Sequence, residues 1–215
     1  RTPLAAAGLT LRQAREGAYG SMPERYREIL DRSISANDEL QRLAETLLLV
    51  AQYESGERTA EHHPIELDRL VRDVVAQLKP LADTKRLRID VETVDVQVSG
   101  DSGELRRALV NLFANAVNWS KDDGPVAVRM QSDGRDVKVS VIDEGFGVPE
   151  GVRDSLFMRF AGEHSRGGGT GLGLYIVRRI AESHGGKVHY APNVPQGSVF
   201  TLELPRAVAS LPVPS

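Results

Sequence analysis

Three groups of residues in this chain have the types and spacing for phosphate and metal chemistry. The first is Gly167-Gly-Gly-Thr-Gly-Leu-Gly-Leu174, which leads into the apolar run from Tyr175 to His184. Glycines leave main-chain N–H groups uncovered, and a helix-forming run behind them aligns those groups at a helix N-terminus, which favours an anion. The run is not a P-loop, which would close on Gly-Lys-Ser/Thr. Nor is it a dinucleotide fingerprint, which needs a third glycine where Leu174 stands. Taken without partners it is either a phosphate cradle or a hinge loop ahead of a core helix.

The second group is Asn111, Asn115 and Asn118, spaced by four and three, which forms one stripe of a helix over 103–119 beside the apolar stripe Leu105, Leu109, Leu112 and Ala116. Asparagine is a mediocre helix former and a costly core residue unless paired. Its amide oxygen is a hard ligand suited to Mg²⁺, an ion that keeps several waters and bridges to substrate phosphates. A solvated helix face is the other reading of the same stripe. The third group is Asp143-Glu-Gly145-Phe-Gly147-Val-Pro149, at the end of an apolar run over 137–142. A carboxylate closing a buried strand needs a donor. An adenine amino group is one, and an acceptor-only carboxylate would discriminate adenine from guanine. A loop-capping aspartate is the alternative. The adjacent His62 and His63 have no cysteine or third histidine nearby and read as solvated linker, not as a metal site.

Composition excludes several classes of function. Among 215 residues, 27 basic side chains against 30 acidic ones leave a net charge of −3, so no basic excess points to nucleic acid. The absence of cysteine rules out disulfides and thiolate metal sites. The longest apolar run, Leu47 to Ala51, is far too short to span a bilayer. The chain opens on Arg1 without a signal-peptide pattern and reads as a fragment.

The elements that must position these groups follow from periodicity. Leu4, Ala7, Leu11, Ala14 and Ala18 define one helical seam, and Tyr26, Ile29, Ser33, Ala36, Leu40, Leu43, Leu47 and Val50 a second, separated by the break Gly20-Ser-Met-Pro23. Two such helices make an antiparallel hairpin that leaves apolar surface wet. Pairing two hairpins into a four-helix bundle covers it, which predicts a homodimer through residues 1–55. Residues 56–63 are polar and contain breakers, the mark of a linker.

From residue 64 helices and strands alternate. A helix is predicted over Glu66–Ala82, and strands over 87–92 and 94–98. Asp101 or Ser102 caps the asparagine helix. Strands around Val126–Met130 and Val137–Val141 flank Asp133-Gly134, an antiparallel hairpin signal that argues against a doubly wound parallel sheet. The helix after the glycine run ends at His184-Gly185-Gly186, and strands over 187–191 and 198–204 follow. The tail, 206–215, is expected to be frayed.

Four motifs now occur in order: Asn111-Leu-Phe-Ala-Asn115-Ala, Asp143-Glu-Gly145-Phe-Gly147, Leu156-Phe157-Met-Arg159-Phe160, and Gly169-Thr170-Gly171-Leu172-Gly173-Leu. They resemble the N, G1, F and G2 boxes of sensor histidine kinases of bacterial two-component systems, in the superfamily shared with gyrase and the MutL proteins. Gly197-Ser-Val-Phe-Thr-Leu-Glu-Leu-Pro205 is similar to the closing strand of that family. The resemblance implies an α+β protein, with the helical hairpin as dimerisation and phosphotransfer domain. An α/β sandwich over 64–205 with a mixed, largely antiparallel sheet would be the catalytic ATP-binding domain.

The resemblance also implies roles. Asn115 would ligate Mg²⁺ with Asn111 beside it, and Asp143 would hold adenine. Gly145, Gly147, Gly169, Gly171 and Gly173 would admit ATP, with Phe160, Thr170 and Leu172 as further nucleotide-contacting positions of the F and G2 boxes. The segment 161–168 would be the lid, with Arg159 and Arg166 as cations for the γ-phosphate or as plain surface. Asn118 stands where the family usually has a lysine, which implies weaker attraction for phosphate. Asn111 stands where water-activating relatives carry a glutamate base; an amide cannot accept a proton from water, so transfer is favoured over hydrolysis.

The opening Arg1-Thr2-Pro3-Leu4 is similar to the second half of the phosphoacceptor box, whose histidine would lie just upstream. Thr2 matches the position used to orient water in dephosphorylating the partner. No histidine in the chain has a comparable context, and His184 is similar to the helix-ending histidine of the family. The expectation is ATP binding without autophosphorylation of these residues. Implied partners are a second copy and the receiver domain of a response regulator, with no nucleic acid and no membrane contact by this stretch, in the cytoplasm. Two competing readings are a dimeric module with a degenerate nucleotide site, for which Asn118 speaks, and a serine-protein kinase of the same superfamily, which would not need the hairpin.

Overall fold

The computed structural model describes residues 2–20, 22–55, 62–161 and 171–207. The chain divides into two compact units, residues 1–58 and 59–215. In the first, α1 (Thr2–Arg15) and α2 (Glu24–Ser55) run antiparallel as the periodicity predicts. Inside the hairpin the buried Asn37 of α2 donates its amide to the Leu4 carbonyl at 3.2 Å, a polar contact that pins one register. Exposed ion pairs Arg12–Asp38 at 3.0 Å and Arg15–Asp31 at 2.9 Å flank it and contribute little each. The second seam is only partly covered: Tyr26, Ile29, Leu40 and Leu47 remain 45%, 57%, 54% and 45% exposed.

The second unit contains β1 (His63–Glu66), α3 (Leu67–Thr84), β2 (Arg88–Glu92), β3 (Gln97–Gly100), α4 (Ser102–Trp119), β4 (Pro125–Ser132) and β5 (Asp136–Asp143), then α5 (Gly173–Ser183), β6 (Lys187–Pro192) and β7 (Ser198–Pro205). A five-stranded sheet runs in the order β2-β4-β5-β7-β6. Only β2 and β4 pair in parallel, because the connection between them crosses over through α4. The other pairs are antiparallel, including the β4–β5 hairpin around Asp133-Gly134. This is the mixed, largely antiparallel sheet expected.

Alternate residues of the central strands turn to the core: Val126, Val128 and Met130, then Val137, Val139 and Val141, then Phe200, Leu202 and Leu204. Against them lies α4, flanked by α3 and α5, burying Leu105, Leu109, Leu112, Phe113 and Ala116. Asp101 caps α4 through its Oδ1, which accepts from the Gly103 and Glu104 N–H groups at 2.8 and 3.0 Å. Such a cap contributes about 1 kcal/mol. At the same end of α4 the buried His184, at the close of α5, accepts the Asp101 N–H on Nε2 at 3.0 Å. Its Nδ1 donates to the Ile180 carbonyl at 2.8 Å, which fixes a neutral ring protonated on Nδ1. Among the described residues no helix is long and apolar enough to cross a membrane.

Three local expectations are corrected. His63 does not belong to a polar linker but opens β1, which pairs with β3 from His63↔Gly100 to Glu66↔Gln97. The strand hides in sequence because three of its four side chains are exposed and Pro64 sits on its edge. The strand expected over 94–98 starts at Gln97 and lies outside the large sheet, its inward positions being Val98 and Gly100. The tail is ordered where it begins: Arg206 bridges Val98, and the Ala207 N–H donates to the Gln97 carbonyl at 2.9 Å.

Candidate functional site

The site is organised along α4. Near its middle Asn111 donates Nδ2 to the Arg107 carbonyl one turn back, at 2.8 Å, which leaves Oδ1 facing α5. There a Cβ on Gly173 would come within 2.8 Å of that oxygen, so only glycine lets the start of α5 approach the asparagine this closely. Leu172 before it is fully buried, and its carbonyl accepts the Ile176 N–H at 3.0 Å. Gly171 has φ +66°, the left-handed turn that swings the chain into α5. Asn115 lies one turn further along α4, half-buried, and Asn118 beyond it is exposed.

The C-terminal end of α4 meets the loop after β5. The Trp119 carbonyl accepts the Phe146 N–H at 3.3 Å, and a Cβ on Gly145 would stand 2.1 Å from that carbonyl oxygen. Gly147 turns the loop away with φ +69°. Asp143, 2% exposed, closes β5. Its Oδ1 accepts from the Gly145 N–H at 2.8 Å and the Ser198 N–H at 3.2 Å. Burial pushes this carboxyl above the usual range, and the two N–H groups partly offset that. The loop-capping reading of Asp143 is met in this geometry, since its Oδ1 takes two main-chain N–H groups of the surrounding loops.

The structure thus brings Asn111 to Gly173 and Asp143 to Gly145, at two stations of α4 with Asn115 between them. Phe160 adopts φ +59°, unusual for a bulky residue, and is 46% exposed. The Arg159 guanidinium lies 5.5 Å from the Tyr175 ring, at the first turn of α5. Arg166, Gly169 and Thr170 lie outside the described residues, as does the Thr2 side chain; Thr2 itself begins α1 in the other unit.

Sequence reasoning missed the turn between β6 and β7. Asn193 donates Nδ2 to the Asp143 carbonyl at 2.9 Å, and its own N–H donates to the Gly197 carbonyl at 3.1 Å. With the Ser198 N–H, this turn holds the Asp143 main chain and side chain together. Gly197 and Ser198 were legible only as the start of a closing strand. Asn193 carried no signal, since a turn asparagine is ordinary.

A family described as histidine kinase-, DNA gyrase B-, and HSP90-like ATPase matches residues 100–208. The circadian input-output histidine kinase CikA of Synechococcus elongatus is 31% identical over 205 residues, covering 91% of this chain and 27% of its own length. The structure of full-length ShkA in complex with AMPPNP superposes with a TM-score of 0.82 at 29% identity, covering 99% of this chain and 45% of that one. The structure of histidine kinase ThkA in complex with the response regulator protein TrrA gives a TM-score of 0.67 at 26% identity, over 96% of this chain and 60% of that one. The chain spans less than two thirds of the length of each of these proteins. The four boxes, the approach of Gly145 and Gly173 to α4 and these likenesses lead to one assignment: the chain belongs to the histidine kinase-, DNA gyrase B- and HSP90-like ATPase family, among the sensor histidine kinases.

Proposed function

We propose that this chain is the kinase core of a two-component sensor, in which the second unit binds Mg-ATP for phosphoryl transfer to a histidine and onward to a response-regulator aspartate. The observation that carries the reading is the placement of two glycine loops on one helix. The loop after β5 meets α4 at Trp119, and Gly173 at the start of α5 meets it at Asn111, about 12 Å apart along the helix axis. A nucleotide lying along α4 would have its base at the Asp143 end and its phosphates at the Asn111 end. The likeness to a kinase holding AMPPNP supports this.

The residues present suit such a ligand. The Asp143 carboxylate is acceptor-only when ionised, which matches an exocyclic amino group. Asn115 offers an amide oxygen for Mg²⁺ between the two stations, and Mg²⁺ bound there would neutralise phosphate charge. Asn111 spends its amide hydrogen on the Arg107 carbonyl and has no basic atom to activate water. The pocket accordingly favours transfer over hydrolysis. The receiving groups are a histidine of the hairpin domain and then a receiver-domain aspartate, a sequence supported by the likeness to a kinase in complex with its response regulator. The homodimer is part of the proposal, with residues 1–55 as its interface.

Calorimetric titration of the full chain with AMPPNP, with and without Mg²⁺, tests the reading. Saturable binding that weakens when Mg²⁺ is chelated is expected. No binding at millimolar ligand would overturn it and favour a degenerate nucleotide site, the reading that the exposed Asn118 supports in place of a lysine.

A further inference from the structure

The last turn of α4 is where the site gathers Asn115, Asn118 and Trp119, yet helix C-termini leave four carbonyls without intrahelical partners. Here all four are accounted for. The Ala116 carbonyl accepts the Ser120 N–H at 2.9 Å and the Ser120 hydroxyl at 2.6 Å. The Trp119 carbonyl accepts the Phe146 N–H at 3.3 Å. The two between them, on Val117 and Asn118, accept from a single ammonium, that of Lys85, at 3.0 and 2.6 Å. The same Nζ reaches the Ser120 carbonyl at 3.2 Å, so its three hydrogens have three acceptors. A cation there also opposes the negative end of the helix dipole.

Lys85 is itself held at the end of α3. Its N–H donates to the Ala82 carbonyl at 3.1 Å and its carbonyl accepts the Asp123 N–H at 2.9 Å. The neighbouring Arg86 pairs with the Asp123 carboxylate at 2.7 Å, and the Arg88 N–H donates to the Gly124 carbonyl at 2.9 Å. The turn after α3 and the turn after α4 are thereby stitched together, with the Lys85 side chain as the strand of the stitch that enters α4.

We propose that Lys85, which lies in none of the nucleotide-box motifs, is a positioning residue for the nucleotide site: its ammonium fixes the last turn of α4 and with it the asparagine stripe. This rests on the nucleotide reading above. Loss of the ammonium strands two carbonyls and lets the last turn of α4 fray. The asparagine stripe then loses its alignment between the two glycine loops, while the Asp143 loop keeps its own hydrogen bonds.

The test compares Lys85→Met and Lys85→Arg in the full chain by AMPPNP titration with and without Mg²⁺, and by amide exchange across 117–120. Lys85→Met is expected to weaken Mg-AMPPNP binding about ten-fold, to affect the metal-free nucleotide less, and to speed exchange in that segment. Lys85→Arg, which keeps donors and charge, is expected to recover most of the affinity. Native affinity in a cooperatively melting Lys85→Met chain would overturn the proposal, as would equal losses with and without Mg²⁺. If Lys85→Met does not fold, Lys85→Gln takes its place, and native affinity and exchange in that variant would likewise overturn it. A native chain that binds no nucleotide overturns the site reading itself, whereas a native chain that binds beside an unaffected variant overturns only the role of Lys85.

Discussion

Asp143 illustrates how a side chain proposed to recognise adenine can work against stability. Its carboxyl is buried and its pKa is raised by that burial, so the ionised form is less favourable in the folded chain than in the unfolded one. The sign follows from linkage: the protonated form favours folding, and that contribution is present below the unfolded pKa and lost as pH rises through the folded pKa. At neutral pH the ionised group is therefore a net electrostatic cost. Asp143→Asn keeps an oxygen for the Gly145 and Ser198 N–H groups, so the variant is expected to melt at the same or a higher temperature at neutral pH. The difference should shrink as pH falls toward the ordinary carboxylate range. Affinity for Mg-AMPPNP should collapse, because an amide can turn a donor toward the adenine amino group. Thermal melts across pH beside calorimetric titration measure both. A variant that melts lower than the native chain at neutral pH would mean that the hydrogen bonds outweigh the burial. Asp143 was readable in sequence from its place between an apolar strand and two glycines. Asn193 was not, because its contact with the Asp143 carbonyl spans fifty residues of chain and uses backbone on the receiving side.

At the scale of elements, α4 is a beam with a constraint at each end and one in the middle. Its N-terminus is tied to α5 through His184 and Asp101, its middle is touched by the start of α5, and its C-terminus is capped from α3 and the loop after β5. His184→Leu removes the acceptor for the Asp101 N–H and the donor to Ile180 from a buried place, so a loss of about 1–3 kcal/mol is expected in urea unfolding. Native-like stability in that variant would show that water replaces the ring without cost. Gly171→Val acts differently, because its backbone at φ +66° is a conformation that a β-branched residue rarely adopts. The turn into α5 must then relax, shifting Gly173 from Asn111, and nucleotide affinity is expected to fall while the urea midpoint changes little. Unchanged affinity would remove the loop before α5 from the site. Most of this architecture was legible, since α4, α5 and the β4–β5 hairpin follow from periodicity, capping and an Asp-Gly turn. What escaped was set by pairing instead of pattern: β1 is a strand only because β3 offers it an edge, and its exposed side chains carry no alternation.

At the scale of the whole molecule, the two units have different needs. The second encloses a core of its own, whereas the hairpin leaves Ile29 and Leu40 more than half exposed, at 57% and 54%. Covering such side chains contributes about 1.5–3 kcal/mol each when burial is complete, so even a few per protomer favour association of two hairpins. Leu40→Glu places a charge on that seam, where pairing would bury it without a partner. Sedimentation equilibrium is expected to show a dimer for the native chain and a monomer for the variant. Calorimetry is expected to give the same affinity for Mg-AMPPNP in both, because the contacts described for the proposed nucleotide site all lie within the second unit. A dimeric Leu40→Glu chain would move the interface off this seam. A monomeric variant that also lost nucleotide affinity would be the more instructive failure, since it would require the second copy to complete a site that α4 and its glycine loops are argued to build alone.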